Sequence, residues 1–76
     1  MTTLVDVKTG RKAVVAGIGG SGALRRRMLD MGIVPGVELE VVRQAPWGGP
    51  IQLRLRGYYL AMRRSECAQI AVAERI

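Results

Sequence analysis

The second half of the chain alternates apolar and polar residues with a period of two. The alternation runs through VELEV at 37–41, IQLRL at 51–55 and YYLAMR at 58–63. Because successive side chains of a strand point to opposite faces of a sheet, each run predicts a half-buried β-strand. We also expect a first strand over residues 12–17 and a last strand over residues 69–73. The pattern therefore predicts five short strands.

The loop QAPWGGP joins the first two strands of this meander and fixes their predicted register. One register brings apolar residues together on the inner face and opposite charges together on the outer face, which a chance pattern rarely does. It pairs Val41 with Leu53, Leu39 with Leu55, Glu40 with Arg54 and Glu38 with Arg56.

The next hairpin turns at Gly57. We predict a type II′ turn with Gly57 and Tyr58 as its central residues, because glycine readily adopts the positive φ that this turn requires at its first central position. This turn pairs Arg56 with Tyr59, Leu55 with Leu60, and Leu53 with Met62.

The segment between the first two strands changes to helical periodicity. Leu24, Met28 and Met31 have the i, i+4, i+7 spacing of a narrow apolar stripe and predict a helix that ends at Met31. Ser21 is the expected N-cap, and Gly32 stands where a left-handed C-terminal cap would lie.

Two further turns complete the predicted topology. Pro35 and Gly36 suit the central positions of a type II turn, and RSECA at 64–68 suits a single helical turn. Five short strands in so small a chain predict a mainly β fold: a five-stranded, SH3-like, partly open barrel with a short helical insertion after the first strand. We expect residues 1–76 to form a single domain.

The segment GIGGSG contains a glycine fingerprint typical of dinucleotide-binding turns. Gly17, Gly19 and Gly22 fit the pattern G-x-G-x-x-G. A dinucleotide fold continues with parallel strands and crossover helices, whereas the strands after residue 37 are joined by tight turns. We therefore interpret the motif as a flexible connection between strand and helix.

The inventory of reactive side chains argues against an enzyme. The chain has no histidine, one cysteine and six scattered carboxylates, so we expect no catalytic residues, no cofactor site and no tight metal site. Weak or surface binding of a divalent metal stays open. Cys67 is interpreted as a small buried apolar residue, with a reactive thiol as the alternative. A single cysteine and the lack of a signal peptide predict a cytoplasmic location.

Charge and aromatic residues indicate a binding function. The net charge is +6 with ten arginines and two lysines, which favours an electronegative partner such as nucleic acid, an acidic protein surface or a lipid headgroup surface. Trp47 lies between prolines in a loop, where it is either an exposed interface anchor or a lid folded over the barrel. The candidate partner-binding residues are Trp47, Pro46, Gly48, Gly49, Tyr58, Tyr59, Arg25 and Arg26.

The succession RRRMLDMGIVPGVELEVVRQAPWGGPIQLRLRGYYLAMRRSECAQI, residues 25–70, resembles the FeoA family. The resemblance implies an SH3-like barrel with a helical insertion and a small cytoplasmic accessory protein of bacterial ferrous iron uptake. It implies a partner, the FeoB-like membrane iron permease with a cytosolic GTP-binding domain, and so a peripheral place at the inner membrane. It is also compatible with a homo-oligomer. The alternative function from charge alone is a small basic β-barrel that binds nucleic acid.

Overall fold

The computed structural model describes residues 2–75 and contains one antiparallel sheet with two helices. The strands run in the spatial order β4-β3-β2-β1-β5. Their bounds are β1 Lys12–Ile18, β2 Glu38–Gln44, β3 Ile51–Leu55, β4 Tyr58–Met62 and β5 Ile70–Arg75. Helix α1 (Gly22–Asp30) lies between β1 and β2, helix α2 (Arg64–Cys67) precedes β5, and a 3₁₀ turn (Leu4–Asp6) precedes β1. The predicted fold class is confirmed.

The core is built from aliphatic and sulfur-containing side chains. Inward residues of the strands alternate with exposed ones, as in β3, where Ile51, Leu53 and Leu55 are buried. Met28 of α1 and Ile33 of the following turn are fully buried against the same cluster. The helix thus covers part of the sheet through a narrow stripe, because its other residues are polar or exposed.

Helix α1 begins and ends at the expected signals. The Ser21 hydroxyl accepts a hydrogen bond from the Leu24 amide at 3.1 Å, which satisfies one of the free N–H groups at the helix start. The helix ends at Asp30, one residue before the predicted end, and Gly32 adopts a left-handed conformation with φ +84°. The cap at Gly32 is therefore confirmed.

The register predicted for the first hairpin is confirmed in its central part. Glu40 pairs with Arg54, and Val41 pairs with Leu53. The ladder then shifts at a β-bulge between Val41 and Arg43. The ladder begins at Glu40, and Arg56 lies in the turn beyond β3, so the proposed pairing of Glu38 with Arg56 is not part of it.

The register predicted for the second hairpin is wrong. Leu55 pairs with Tyr58 and Leu53 pairs with Leu60, so the turn residues are Arg56 and Gly57. Their φ values of +49° and +81° are both positive, as a type I′ turn requires, whereas type II′ has positive φ at one position only. The turn thus lies one residue earlier than predicted. The displaced register still keeps apolar residues on the inner face, because the two registers differ by an even number of residues.

The glycine fingerprint joins β1 to α1 within the antiparallel sheet. The Gly19 amide donates to the Gln69 carbonyl oxygen at 2.7 Å, which ties this segment to the residue before β5. Gly20 has φ +83°, and a Cβ atom there would lie 2.8 Å from Leu24 Cδ2. These glycines serve local geometry.

Candidate functional site

Trp47 projects from the loop between β2 and β3, residues 45–50, which we call the Trp47 loop. Its side chain is 84% exposed, so the lid alternative is wrong. The Gly48 amide donates to the Ala45 carbonyl oxygen at 3.2 Å, and Gly48 adopts φ +86°. The turn therefore has a defined backbone that presents a large apolar side chain, as an interface anchor requires.

A groove of about 350 Å³ lies beside the Trp47 loop on the outer face of the sheet. Its walls are mostly apolar, and its cationic member is Arg43. The residues that line it include Arg43, Pro46, Trp47, Pro50, Gln52 and Ala61. Proline and indole surfaces next to a guanidinium offer an apolar contact and a positive charge within one site.

Tyr58 lies at the other end of β3. Its hydroxyl donates a hydrogen bond to the Met31 carbonyl oxygen, and its side chain is 40% exposed. The hydroxyl also closely approaches Gly32, where a Cβ atom would lie 2.8 Å away. Tyr58 therefore fastens the β3–β4 turn to the end of α1, which is a structural role.

Tyr59 occupies the outer face of the sheet opposite Arg54 and is 59% exposed. Arg54 itself forms an ion pair with Glu40, with Nη2 and Oε1 3.1 Å apart. The mixed apolar and basic outer face expected from the sequence is present, with part of its positive charge neutralised.

The three consecutive arginines of α1 have different surroundings. Arg25 and Arg26 are exposed, and Leu29 on the same helix is exposed as well. Arg27 instead forms an ion pair with Glu66 of α2, with Nη1 and Oε2 2.5 Å apart. Arg25 and Arg26 thus remain candidates for contact with an acidic partner.

The predicted partner-binding residues lie in separate groups on the molecule. Pro46, Trp47, Gly48 and Gly49 precede β3, whereas Tyr58 follows it, so the two groups lie at opposite ends of a five-residue strand. Such a strand is about 17 Å long. Tyr58 contacts the C-terminal end of α1, and Tyr59 lies on the outer face of the sheet between Tyr58 and the Trp47 loop.

Sequence reasoning missed a polar cluster around α2. Glu66 is 9% exposed and accepts hydrogen bonds from Arg27 and from the Arg63 amide at 3.0 Å. Gln44 donates to the Val7 carbonyl oxygen at 2.6 Å and accepts from Arg64 at 3.4 Å. Arg27 and Glu66 are 39 residues apart, so no local pattern could have paired them. The cluster joins α2 to α1 and β2.

Cys67 is fully buried. Burial and, to a smaller extent, the neighbouring Glu66 raise the pKa of its thiol, Arg64 opposes them, and the net result is a pKa of about 11. A thiol with this pKa is almost entirely protonated near neutral pH, so it is a poor nucleophile and a poor metal ligand. The interpretation as a buried apolar residue is confirmed.

Residues 2–75 contain no group of three or more histidine, cysteine, aspartate or glutamate side chains that could hold a metal ion. In that same part of the chain, no helix is long and apolar enough to cross a membrane.

Comparison with known proteins gives one consistent result. The FeoA domain family matches residues 2–74. A curated relative from Porphyromonas gingivalis, the Fe(2+) transport protein A/Fe(2+) transporter FeoB fusion protein, is 38% identical over 69 residues, which are 91% of this chain. The match spans only 8% of that relative's length.

Solved structures agree with the family match. An FeoA-like protein from Clostridium acetobutylicum is 43% identical, with a TM-score of 0.87 that covers 100% of this chain and 92% of the other. The FeoA of Stenotrophomonas maltophilia, described as a prokaryotic SH3 domain protein in complex with zinc, is 27% identical with a TM-score of 0.83, covering 96% and 91% of the two chains. The chain therefore belongs to the FeoA family.

Proposed function

We propose that this chain is an accessory binding protein of bacterial ferrous iron uptake and acts by contacting a membrane iron permease on its cytosolic, GTP-binding side. The observation that carries the proposal is the Porphyromonas gingivalis relative, in which a segment similar to this chain and an FeoB transporter form one polypeptide. Domains that are fused in one protein are held at high effective concentration, which favours contact between them. The description of the Stenotrophomonas maltophilia relative also links it with activation of ferrous iron transport.

The surface that we assign to this contact is centred on the Trp47 loop. Trp47 is 84% exposed and stands on a turn fixed by two prolines and a backbone hydrogen bond, so it loses little conformational entropy on binding. Arg25 and Arg26 lie on a different element and would speed the encounter with an acidic surface. We assign no catalytic step to this chain.

The test is binding to the purified cytosolic GTP-binding domain of the permease from the same organism. Biolayer interferometry at two salt concentrations should give saturable binding that is weaker at high salt. The Trp47→Ala variant should bind more weakly, and the Trp47→Phe variant, which keeps an exposed aromatic side chain at the same place, should lose less affinity. Absence of binding by the wild-type chain, with the permease domain folded and nucleotide-loaded, would refute the proposal.

Metal binding by this chain is proposed to be weak and confined to its surface. Histidine is absent from the sequence, and the sole thiol is buried with a raised pKa. Isothermal titration with Zn²⁺ and, without oxygen, with Fe²⁺ should show no sub-micromolar binding to the monomer. A sub-micromolar dissociation constant would overturn this part of the proposal.

Nucleic-acid binding is less well supported as a function. Arg54 and Arg27 are engaged in ion pairs, and Trp47 and Tyr58 lie at opposite ends of β3 and so form no common stacking platform. A gel-shift titration with random DNA and RNA at two salt concentrations should therefore show only weak, salt-sensitive retardation.

A further inference from the structure

The two edges of the sheet are covered to different extents. At one edge, β5 receives further main-chain contacts from the N-terminal segment: Thr3 bridges to Ala71, and the Val72 amide donates to the Thr2 carbonyl oxygen at 2.9 Å. At the other edge, β4 pairs with β3 and, among the residues 2–75, with no other strand. The outer side of β4 therefore has main-chain groups that pair with no strand of residues 2–75, which is the arrangement that strand addition requires.

The turn geometry identifies which main-chain groups of β4 face outward. Leu55 and Tyr58 flank the two-residue turn, so they form the pair that exchanges both hydrogen bonds across the hairpin. Because such pairs alternate along an antiparallel ladder, Leu60 and Met62 also direct their N–H and C=O groups toward β3. Tyr59 and Ala61 then direct theirs toward the open edge.

Strand β4 lacks the features that usually protect an edge. It contains no proline, no charged residue and no bulge between Tyr58 and Met62. Leu60 is half-buried on the inner side, and Ala61 is exposed on the outer side. An added strand would therefore meet Leu60 on the inner face and the side chains of Tyr59 and Ala61 on the outer face.

The charges that flank β4 are all positive. Arg56 precedes the strand in the turn, Arg63 follows it, and both are exposed. Arg54, opposite Tyr59 on the next strand, shares its charge with Glu40. An incoming strand with acidic side chains would meet cations at both of its ends.

We propose that an extended segment of the partner protein, acidic on one face and apolar on the other, adds to the β4 edge as a sixth strand. Main-chain hydrogen bonds to Tyr59 and Ala61 supply affinity, while the flanking Arg56 and Arg63 select acidic sequences. Apolar side chains of the segment cover Leu60. The inference deepens the proposed function, on which it rests, by stating what form the bound part of the partner takes.

The first test uses a fluorescein-labelled seven-residue peptide that alternates glutamate and valine. Fluorescence anisotropy should show binding that weakens with salt, and a lysine–valine peptide should bind at least about tenfold more weakly. Two N-methylated forms, one blocked at every glutamate and one at every valine, distinguish strand addition from charge attraction. One form should lose at least about tenfold in affinity and the other less than about threefold, because alternate N–H groups face the edge. Equal affinity of the two forms would overturn the proposal.

The second test changes the protein. Ala61→Pro removes the outward N–H of an edge strand, a position where proline is tolerated, while Ala61→Thr keeps the N–H and adds comparable bulk. We expect Ala61→Pro to bind the glutamate–valine peptide at least about tenfold more weakly and Ala61→Thr to stay within about threefold of the wild type. Circular dichroism verifies that both variants are folded; if Ala61→Pro is not, the N-methylated peptides decide.

The outcomes separate this inference from the proposed function. Binding of the permease domain that is equal for Ala61→Pro and Ala61→Thr leaves the proposed function intact and refutes strand addition. Peptide binding at β4 without permease binding refutes the proposed function alone. A dimer that Ala61→Pro converts to a monomer, measured by sedimentation, would show that a second copy of this chain occupies the edge and would also overturn the proposal.

Discussion

Trp47 and Tyr58 stand at opposite ends of β3, and their surroundings differ. Both are aromatic residues next to hairpin turns, but Trp47 is 84% exposed whereas Tyr58 is 40% exposed and donates a hydrogen bond to the Met31 carbonyl oxygen. The Tyr58 end is thus fastened to α1, while the Trp47 end leaves a large apolar side chain in solvent. Proximity to a turn therefore does not identify a binding residue; what the side chain contacts does.

The largest difference between the two ends should appear when each positive-φ glycine is replaced by alanine. The backbone at Gly32 (φ +84°) and at Gly48 (φ +86°) would strain an alanine to a similar degree. A Cβ atom at Gly32, however, would lie 2.8 Å from the Tyr58 hydroxyl, while one at Gly48 would lie 3.9 Å from Arg64 Cδ. Strain alone costs about 1 kcal/mol, and displacing the Tyr58 hydrogen bond costs about 1 kcal/mol more. Gly32→Ala should lower the free energy of unfolding by about 2 kcal/mol and Gly48→Ala by about 1 kcal/mol, measured by urea denaturation.

A double-mutant cycle assigns the extra cost. Phenylalanine at position 58 lacks the oxygen that the new Cβ atom would meet, so Gly32→Ala should cost only about 1 kcal/mol in the Tyr58→Phe background. An undiminished cost in that background would mean that Tyr58 is not what restricts Gly32.

Helix α2, which follows β4, ends at the buried Cys67, and the reactivity of this thiol tests how readily the helix opens. With the Cys67 pKa raised from 9.0 to about 11, the folded protein at pH 8 should hold about 100-fold less thiolate than a thiol with the ordinary pKa of 9.0. Alkylation by iodoacetamide should therefore be slower in the folded protein than in urea by at least that factor. A rate equal to that of the unfolded chain would show that α2 opens readily.

The same raised pKa makes a stability prediction at alkaline pH. Since the neutral thiol is favoured in the folded state, its contribution is complete below the unfolded pKa near 9 and is lost as the pH rises through about 11. The wild type should lose more stability than Cys67→Ala between these pH values. Taking the difference between the two proteins removes the effect of the ionisable groups that they share.

Trp47→Ala should separate binding from folding. Because the side chain is mostly in solvent, the free energy of unfolding should change by less than about 0.5 kcal/mol. Its loss should weaken binding to the permease domain by about 2 kcal/mol, mainly through faster dissociation. A sharp drop in melting temperature with unchanged binding would show the reverse, a structural Trp47 and an anchor located elsewhere.

The two hairpins also show what the sequence could and could not specify. The first register was predictable because only one alignment pairs Val41 with Leu53 and Glu40 with Arg54 together. The second was not, because Leu53 meets an apolar residue in either alignment, Leu60 or Met62. The choice depends on Arg56 adopting φ +49°, which few residues other than glycine, asparagine and aspartate favour.

Long-range polar contacts were the other part beyond prediction. Helix α1 was predictable from its stripe and its caps, yet nothing in the run of three exposed arginines indicates that it is Arg27 that pairs with Glu66. That distinction depends on where α2 packs, 39 residues later. The sequence likewise gave no sign that Trp47 and Tyr58, both candidates for binding the same partner, lie at opposite ends of β3.

Tyr58→Phe should have a smaller effect at the fastened end. It removes the hydrogen bond to the Met31 carbonyl oxygen and keeps the ring, so the free energy of unfolding should fall by about 1 kcal/mol. In a domain of this size, that corresponds to a melting temperature lower by about 4 to 8 °C. Tyr59→Phe is the matched control, because no hydrogen bond is seen from the exposed Tyr59 hydroxyl in the described part of the chain. Equal shifts in both variants would remove the distinction between a fastened and a free aromatic residue.

The smallest effect is expected midway between the two ends, at the outer-face ion pair of Glu40 and Arg54. The side chains are 27% and 48% exposed, so water and salt screen the attraction and the pair should contribute about 0.2 to 1 kcal/mol. Single reversals, Glu40→Arg and Arg54→Glu, should each destabilise by a few tenths of a kcal/mol at low salt. The double exchange should restore most of that loss, since Glu40 and Arg54 lie directly opposite each other in the ladder. If the double exchange still restores stability in 1 M NaCl, packing of the aliphatic parts of the two side chains, and not their charge, would be what stabilises this pair. The pair would then give no evidence that charge helps to set the register of β2 and β3.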